Sequence, residues 1–323
     1  MKKVALLAGG NSGEYEISLK TAENIQNQLD KTTFETYLIL VKDNYWYYTD
    51  VTGNNCTVNK DDFSLTMSNK QIVFDVVIIA IHGDPGENGK LQAYFEMLKI
   101  PYVGCDSFCS ALTFNKYFCN IAVKRFGIPI SPSLHFYKND LFVFDSIEKH
   151  CGYPCFVKPC NSGSSVGVTK AHNKEELLVA LATAFEVDEQ IMVERFIPGR
   201  ELTCGVTFWN GKVMALAVTE IKSKKEYYDF EAKYTPGFIE MVTPAEINKT
   251  VEEKVKEYSV TIYKKFGCKG VVRVDFILNE ENEPVFLEIN TIPGQTAMSI
   301  IPKQLAYNNI SLQEFYGRMI LNC

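Results

Sequence analysis

Residues 271–290 build an antiparallel hairpin into whatever this chain becomes. Val271–Leu278 and Val285–Asn290 alternate polar and apolar positions, and the polar run NEENEP separates them. Side chains two apart on a strand share a face. Arg273 therefore lies beside Asp275, and Glu288 beside Asn290, between apolar Val272, Val274, Phe276, Phe286, Leu287 and Ile289. A closed hairpin would gather three oxygen ligands and one guanidinium on one patch. Such an incomplete set of hard donors suits Mg²⁺ bound together with a nucleotide's phosphates. The competing reading is a charged strand face turned to solvent, which serves for any one of these residues better than for all four.

At 323 residues the chain has room for two or three compact units. Its net charge of -6 argues against a nucleic-acid partner, because phosphate backbones reward basic patches. No apolar run approaches the ~20 residues of a membrane-spanning helix. MKKVALLAGG has the lysines and apolar run of a signal peptide. The run is short, however, and leads straight into a glycine turn, so it reads as a first strand. The ten cysteines show no paired C-x-x-C pattern and sit in apolar context, which points away from zinc and toward buried thiols in a reducing, cytoplasmic setting.

The first hundred residues alternate strand and helix. Val4–Leu7 ends at Gly9-Gly10, a helical stripe follows through Leu19, Ala22, Ile25 and Leu29, and Tyr37–Val41 and Val76–Ile81 have the character of parallel strands. Leu91–Leu98 is helical, and IPYVG returns to the sheet. In an open α/β unit ligands gather beyond the carboxyl ends of strands, here Gly9–Glu14 and His82–Gly89. A second region opens with a helix over Ser110–Phe126, then a strand at Pro154–Lys158, a loop CNSGSSVG and a capped helix Lys174–Val187. Strands follow at Ile191–Phe196, Leu202–Phe208 and Val213–Glu220. The aperiodic stretch Lys222–Pro244 has the length of a loop that closes over a site. An amphipathic helix through Val251, Val255, Tyr258, Ile262 and Phe266 precedes the hairpin, and a last helix starts at Ser311 with Glu314 in a capping box.

Three further segments carry chemistry. Asn161–Gly167 supplies a flexible backbone and several N–H and O–H donors three residues after Lys158, which suits phosphate, although the P-loop pattern is absent. In VERFIPGRE, Glu194 stands at a strand end whose backbone can read an adenine edge, and Glu201 is an acceptor for ribose hydroxyls. His82, in IHGDPGENG, follows a buried strand between glycines that permit close approach. Glu14 opens a helix, where it either caps the dipole or pairs with a substrate ammonium.

Taken in order, AGGNSGEYEISL, IHGDPGENGKLQ with IPYVG, FVKPCNSGSSVGV, VERFIPGRELTC, YYDFEAKY, RVDF and EINTIPGQT resemble the D-alanine–D-alanine ligases of the ATP-grasp superfamily over essentially the whole chain. The resemblance implies an α/β (α+β overall) fold of three domains. An N-terminal open parallel-sheet domain at 1–106 binds substrate, and ATP-grasp domains at 107–190 and 191–323, with a mobile lid at about 222–244, clasp ATP. It implies a cytoplasmic homodimer that phosphorylates one D-alanine and joins it to a second. By the same resemblance Lys116, Lys158 and Ser165 contact ATP phosphates, Glu194, Phe196 and Ile197 frame the adenine, and Glu201 holds the ribose. Asp275, Glu288 and Asn290 hold two Mg²⁺, or Mn²⁺, and Lys233 on the lid reaches the γ-phosphate. Glu14 binds the first ammonium with His82 nearby, and Glu14, Ser164 and Tyr234 join helix, glycine loop and lid. Arg273 and the Gly294 N–H form the oxyanion hole, and Ser299 holds the second carboxylate.

Asn115, Asn88, Gln295 and Met298 depart from the family pattern, and the last two flank the expected acceptor pocket. A ligase joining D-alanine to D-lactate or D-serine is therefore the nearest alternative, against which Tyr234 argues in the case of lactate. A nucleotide-binding regulator would have lost a metal ligand or phosphate lysine, and all are present. A dinucleotide-dependent oxidoreductase would need G-x-G-x-x-G after the first strand, where it is absent.

Overall fold

The computed structural model describes residues 1–223 and 239–323. Three sheets organise them. The first has eight strands in the order β6-β5-β4-β3-β2-β1-β7-β8, its outer strands being β3 (Tyr45–Thr49), β4 (Asn55–Asn59), β5 (Ser64–Met67) and β6 (Lys70–Ile72). Its parallel part comprises β1 (Lys2–Gly9), β2 (Phe34–Lys42), β7 (Val76–Ile79) and β8 (Tyr102–Val103). β1 lies in its interior, and Val4 to Ala8 are wholly buried, as expected where helices cover both faces. The helix Tyr15–Gln28 packs on it through Ala22 and Ile25.

The second sheet, order β11-β10-β12-β9, joins β9 (Ser133–Tyr137), β10 (Cys155–Pro159), β11 (Thr169–Ala171) and β12 (Gln190–Arg195). The third, order β15-β14-β13-β16-β17, joins β13 (Gly199–Trp209), β14 (Lys212–Ser223), β15 (Ile239–Val242), β16 (Val271–Asn279) and β17 (Pro284–Asn290), all antiparallel. The helix Lys249–Lys265 covers it through Val251, Val255 and Ile262.

Several sequence expectations need correcting. The expected helix Ser110–Phe126 is two helices, Ser107–Phe114 and Lys116–Arg125. Asn115 between them is extended and caps the second, its Oδ1 accepting the Phe118 N–H at 3.1 Å. The first region is not a plain strand–helix alternation, because β3 (Tyr45–Thr49), β4 (Asn55–Asn59), β5 (Ser64–Met67) and β6 (Lys70–Ile72) extend its sheet antiparallel. Their aromatic side chains, with Trp46 against Phe63 and Tyr94, obscure the alternating pattern. The stretch 222–244 is not all loop, since Ile239–Val242 pairs with β14. The expected division at 190/191 cuts β12, which is bonded on both sides inside the second sheet. We place that division after Arg195, at 196–198.

One buried side chain ties the C-terminal helices to the third sheet. Register shifts between Cys204 and Val206, and Gly205 N–H donates to Gln304 Oε1 at 2.9 Å. Gln304 Nε2 donates in turn to Thr203 O and Thr219 Oγ1, both at 3.1 Å. Gly205 has no room for a side chain, because a Cβ there would lie 2.6 Å from Gln304 Oε1. Removing the amide strands the buried Gly205 N–H, at about 1–3 kcal/mol, and takes a further bond of about 1 kcal/mol from each of Thr203 O and Thr219 Oγ1. Gln304→Leu should therefore destabilise the protein by about 2–5 kcal/mol in denaturant unfolding. A variant within 0.5 kcal/mol of the parent (about the usual limit for surface changes) would refute this account.

Candidate active site

The hairpin closes with Asp275 opposite Glu288 and Arg273 opposite Asn290. Arg273 grips Asp275 in a fork, with Nε to Oδ1 at 3.0 Å and a terminal nitrogen to Oδ2 at 2.8 Å. Asn290 Nδ2 reaches Asp275 Oδ2 at 3.2 Å and Glu288 Oε1 at 3.4 Å, so three oxygen-bearing side chains meet at one point. A half-turn of that amide presents its oxygen instead of its nitrogen. The set is then two carboxylates and an amide oxygen, a donor chemistry that fits Mg²⁺.

Opposite this patch stands the glycine-rich loop. Ser164 and Ser165 adopt left-handed backbone, with φ of 51° and 57°. Lys116, in the first turn of its helix, donates its ammonium to the Ser162 carbonyl. Lys158, on β10 and half-buried, donates to the carboxylate of the buried Glu194 on β12. A buried pair of this kind adds little net stability but fixes where the ammonium points. Asn120 Nδ2 supports the same carboxylate at 3.4 Å. The side chain of Glu194, assigned at sequence level to the adenine, thus faces the lysine assigned to phosphate. Phe196 donates its backbone N–H to Pro154 O at 3.2 Å, and the Lys170 ammonium sits 3.7 Å over its ring.

The first sheet contributes the third side. His82 is buried, its Nδ1 3.0 Å from Ile292 O and its Nε2 3.1 Å from Thr21 Oγ1. Burial holds the imidazole below its ordinary pKa, against the charge of Glu14, which raises it. The ring is therefore neutral. A carbonyl only accepts, so Nδ1 carries the proton and Thr21 donates to Nε2. Glu87, absent from the sequence assignment, accepts N–H groups from Gly83, at 2.8 Å, and from Ile292. His82 and Glu87 together hold both backbone groups of Ile292, two residues beyond Asn290. The available signal was an acid framed by glycines at the end of a parallel strand. Glu14 approaches the glycine loop so closely that a Cβ on Gly163 would lie 3.3 Å from its Oε2.

At the acceptor end, a Cβ on Gly294 would lie 2.9 Å from Ser299 Oγ, and that hydroxyl also meets Thr296 N at 3.1 Å. Gln295 does not flank the cavity as expected. Its side chain is buried and accepts from Tyr316 OH at 3.1 Å, because the apolar surroundings on that side require a partner for each polar group. Met298 does line the cavity.

Every sequence-assigned site residue among the described ones, Glu201 included, lines one cavity of about 760 Å³. Lys233 and Tyr234 lie outside the described residues. Sequence reading also missed Arg200 and Glu220 on the same wall, paired in a fork at 2.7 and 2.8 Å across β13 and β14. Arg200 stands inside the segment VERFIPGRELTC, but no motif marks its partner Glu220.

The Glu87 carboxyl is pushed up to about 7, chiefly by burial and then by the charge of Glu14; Gly83 N–H, Arg273 and Ile292 N–H oppose the rise. A carboxyl whose folded pKa is raised binds more protons folded than unfolded. Folding stability therefore falls as pH rises from about 4.5 through about 7. Glu87→Gln should remove this loss. Between pH 5 and 8, without nucleotide, the parent should lose on the order of 2 kcal/mol relative to the variant. Parallel pH profiles for the two proteins would exclude a titrating Glu87.

Known proteins share both sequence and fold with this chain. The family models described as D-ala D-ala ligase N-terminus and D-ala D-ala ligase C-terminus match residues 3–105 and 122–321. The D-alanine–D-alanine ligase of Azobacteroides pseudotrichonymphae genomovar. CFP2 is 42% identical over 324 residues, covering 99% of each chain. D-alanyl-alanine synthetase A from Vibrio cholerae superposes with a TM-score of 0.90 at 30% identity, covering 99% of this chain and 98% of that one. The VanG D-Ala:D-Ser ligase from Enterococcus faecalis does so with a TM-score of 0.88 at 34% identity and the same coverage. On this footing the expected ATP-grasp fold holds, and the chain belongs to the D-alanine–D-alanine ligase family.

Proposed function

We propose that this protein joins two D-alanine molecules into D-alanyl-D-alanine for peptidoglycan synthesis in the cytoplasm, consuming ATP through a D-alanyl phosphate. The observation that carries the reading is the convergence, in one cavity, of two lysines and a glycine loop with two carboxylates, an amide and Arg273. Full-length relatives named for this reaction support it. Assembly as a homodimer rests on the family resemblance alone.

A carboxylate is a poor electrophile, so it must be activated before an amine attacks it. ATP and a substrate carboxylate repel each other, and a dense set of cations is needed to bring them together. Lys116, Lys158 and Ser165 supply the protein's share at the phosphates. Glu194, Phe196 and Ile197 frame the adenine, and Glu201 accepts from the ribose. Asp275, Glu288 and Asn290 would hold Mg²⁺, which neutralises and orients the phosphates when bound. Glu14 receives the first ammonium, and neutral His82 keeps the neighbouring Ile292 loop in place. The carboxylate oxygen attacks the γ-phosphorus, the bond to the β-phosphate oxygen breaks, and ADP leaves.

The second amine, its carboxylate held at Ser299, then attacks the acyl carbon. Arg273 and the Gly294 N–H stabilise the resulting oxyanion, at about 3–4 kcal/mol for a well-aimed donor. The carbon–oxygen bond to phosphate breaks, and phosphate departs as the amine loses a proton. The resemblance assigns Lys233 to the γ-phosphate and Tyr234 to Glu14 and Ser164, and water must be kept out because an open acyl phosphate hydrolyses.

D-Serine and D-lactate are the competing acceptors. Of the two departures expected at the acceptor pocket, only Met298 faces the cavity, which leaves the wall close to the family pattern. Phosphate release with D-alanine alone, compared with D-alanine plus D-serine or D-lactate at neutral pH, decides the acceptor. We expect full turnover with D-alanine alone, and its absence would sink the dipeptide reading. Arg273→Ala and Glu288→Ala should each lower kcat by at least about 10²-fold while circular dichroism stays unchanged. Retained turnover in both would show the assignment to be wrong.

A further inference from the structure

Three buried thiols, two of them neighbours in sequence and the third distant, meet outside the catalytic cavity. Cys105 follows β8, Cys109 lies in the first turn of Ser107–Phe114, and Cys268 follows the helix Lys249–Lys265. They are 2%, 0% and 7% exposed. Their sulfurs all lie within 4.8 Å of one another, and those of Cys109 and Cys268 are 3.7 Å apart. Three thiolates on a soft centre with bonds of about 2.3 Å stand roughly 3.4–4 Å apart, from pyramidal to planar geometry, so thiol rotations complete such a site. The spacing C-x₃-C with a third cysteine 159 residues later hides the group from any sequence pattern.

The charge balance selects the occupant. Zinc in a closed site takes four protein ligands, and no fourth histidine, cysteine or carboxylate joins this group among the described residues. Copper(I) accepts three thiolates but leaves two negative charges in a dry interior, where each is costly without a partner. A trivalent thiophilic centre is neutral with three thiolates. We propose that Cys105, Cys109 and Cys268 form a trithiol site for trivalent arsenic. Arsenous acid reacts with three thiols; three arsenic–oxygen bonds break, three arsenic–sulfur bonds form, and each thiol proton leaves in water. No oxidant or reductant is needed. The centre would tie the end of the first sheet to the third, where Gly104 and Gly270 already pack so closely that a Cβ on Gly270 would lie 3.1 Å from Gly104 Cα.

The test treats the full chain, reduced with a phosphine, with one equivalent of sodium arsenite, followed by gel filtration, intact mass measurement and a count of free thiols after unfolding. One arsenic should remain per chain with three of the ten thiols lost, and an excess of a small dithiol should reverse it. The melting temperature should rise with arsenite. Cys109→Ala and Cys268→Ala, shown by circular dichroism to be folded, should lose this retention. Alkylation of the loaded parent after unfolding should spare Cys105, Cys109 and Cys268 alone, a readout that needs no variant. Arsenic lost on gel filtration, arsenic mapped to other cysteines, or Zn²⁺ or Cu⁺ retained in preference in parallel arms would each overturn the proposal.

Discussion

One extra residue in β17 is the constraint on which the metal-suited patch depends. Near the turn, Phe276 pairs with Phe286 and Ile277 with Val285. Continued unchanged, that register would set Asp275 opposite Leu287 and Val274 opposite Glu288, with the two carboxylates on opposite faces of the sheet. A one-residue slip reverses every side chain beyond it. The irregularity at Leu287 restores the match, so that Asp275 faces Glu288 and Arg273 faces Asn290. The segment before β9 holds the irregularity in place, because Phe286 donates its N–H to Pro129 O at 2.8 Å. Two facing carboxylates repel each other, and the Arg273 fork and the Asn290 amide offset that repulsion.

The remaining sides of the cavity are fixed by polar contacts both within and between sheets. His82 and Glu87 from the first sheet hold the backbone of Ile292, at the exit of the hairpin. Lys158 and Glu194 are paired inside the second sheet, and Lys116 is bonded to the loop that leaves it. Gln304, on the helix that Ser299 opens, locks that helix onto the third sheet. Each tie is buried or half-buried, where a lost partner costs more than a made bond gains. That asymmetry keeps groups from three sheets in register around one cavity.

Much of this was legible in the chain itself. Local pattern marked the hairpin, the parallel strands β1, β2 and β7, and the capped helices Lys174–Val187 and Leu312–Leu321, since these follow from side-chain period and cap chemistry. The motifs also marked the residues that line the cavity. The strands β3–β6 were not legible, because Tyr45, Trp46, Tyr47 and Tyr48 form an unbroken aromatic run with no alternation. Glu87 and the Arg200–Glu220 fork were missed because their significance lies in partners distant along the chain.

The sequence by itself determined which residue types are available and which neighbours share a strand face, because those depend on bonds and periods a few residues long. It determined that Arg273 lies beside Asp275 and Glu288 beside Asn290. Only the tertiary structure decided that the two pairs share one face, since that turns on a single irregular residue held by Pro129. It alone decided that Gln295 turns away to Tyr316, that Lys158 meets Glu194, and that three scattered cysteines come together. Each is a long-range contact chosen by burial, where a polar group or thiol packs against whatever partner the fold brings within reach.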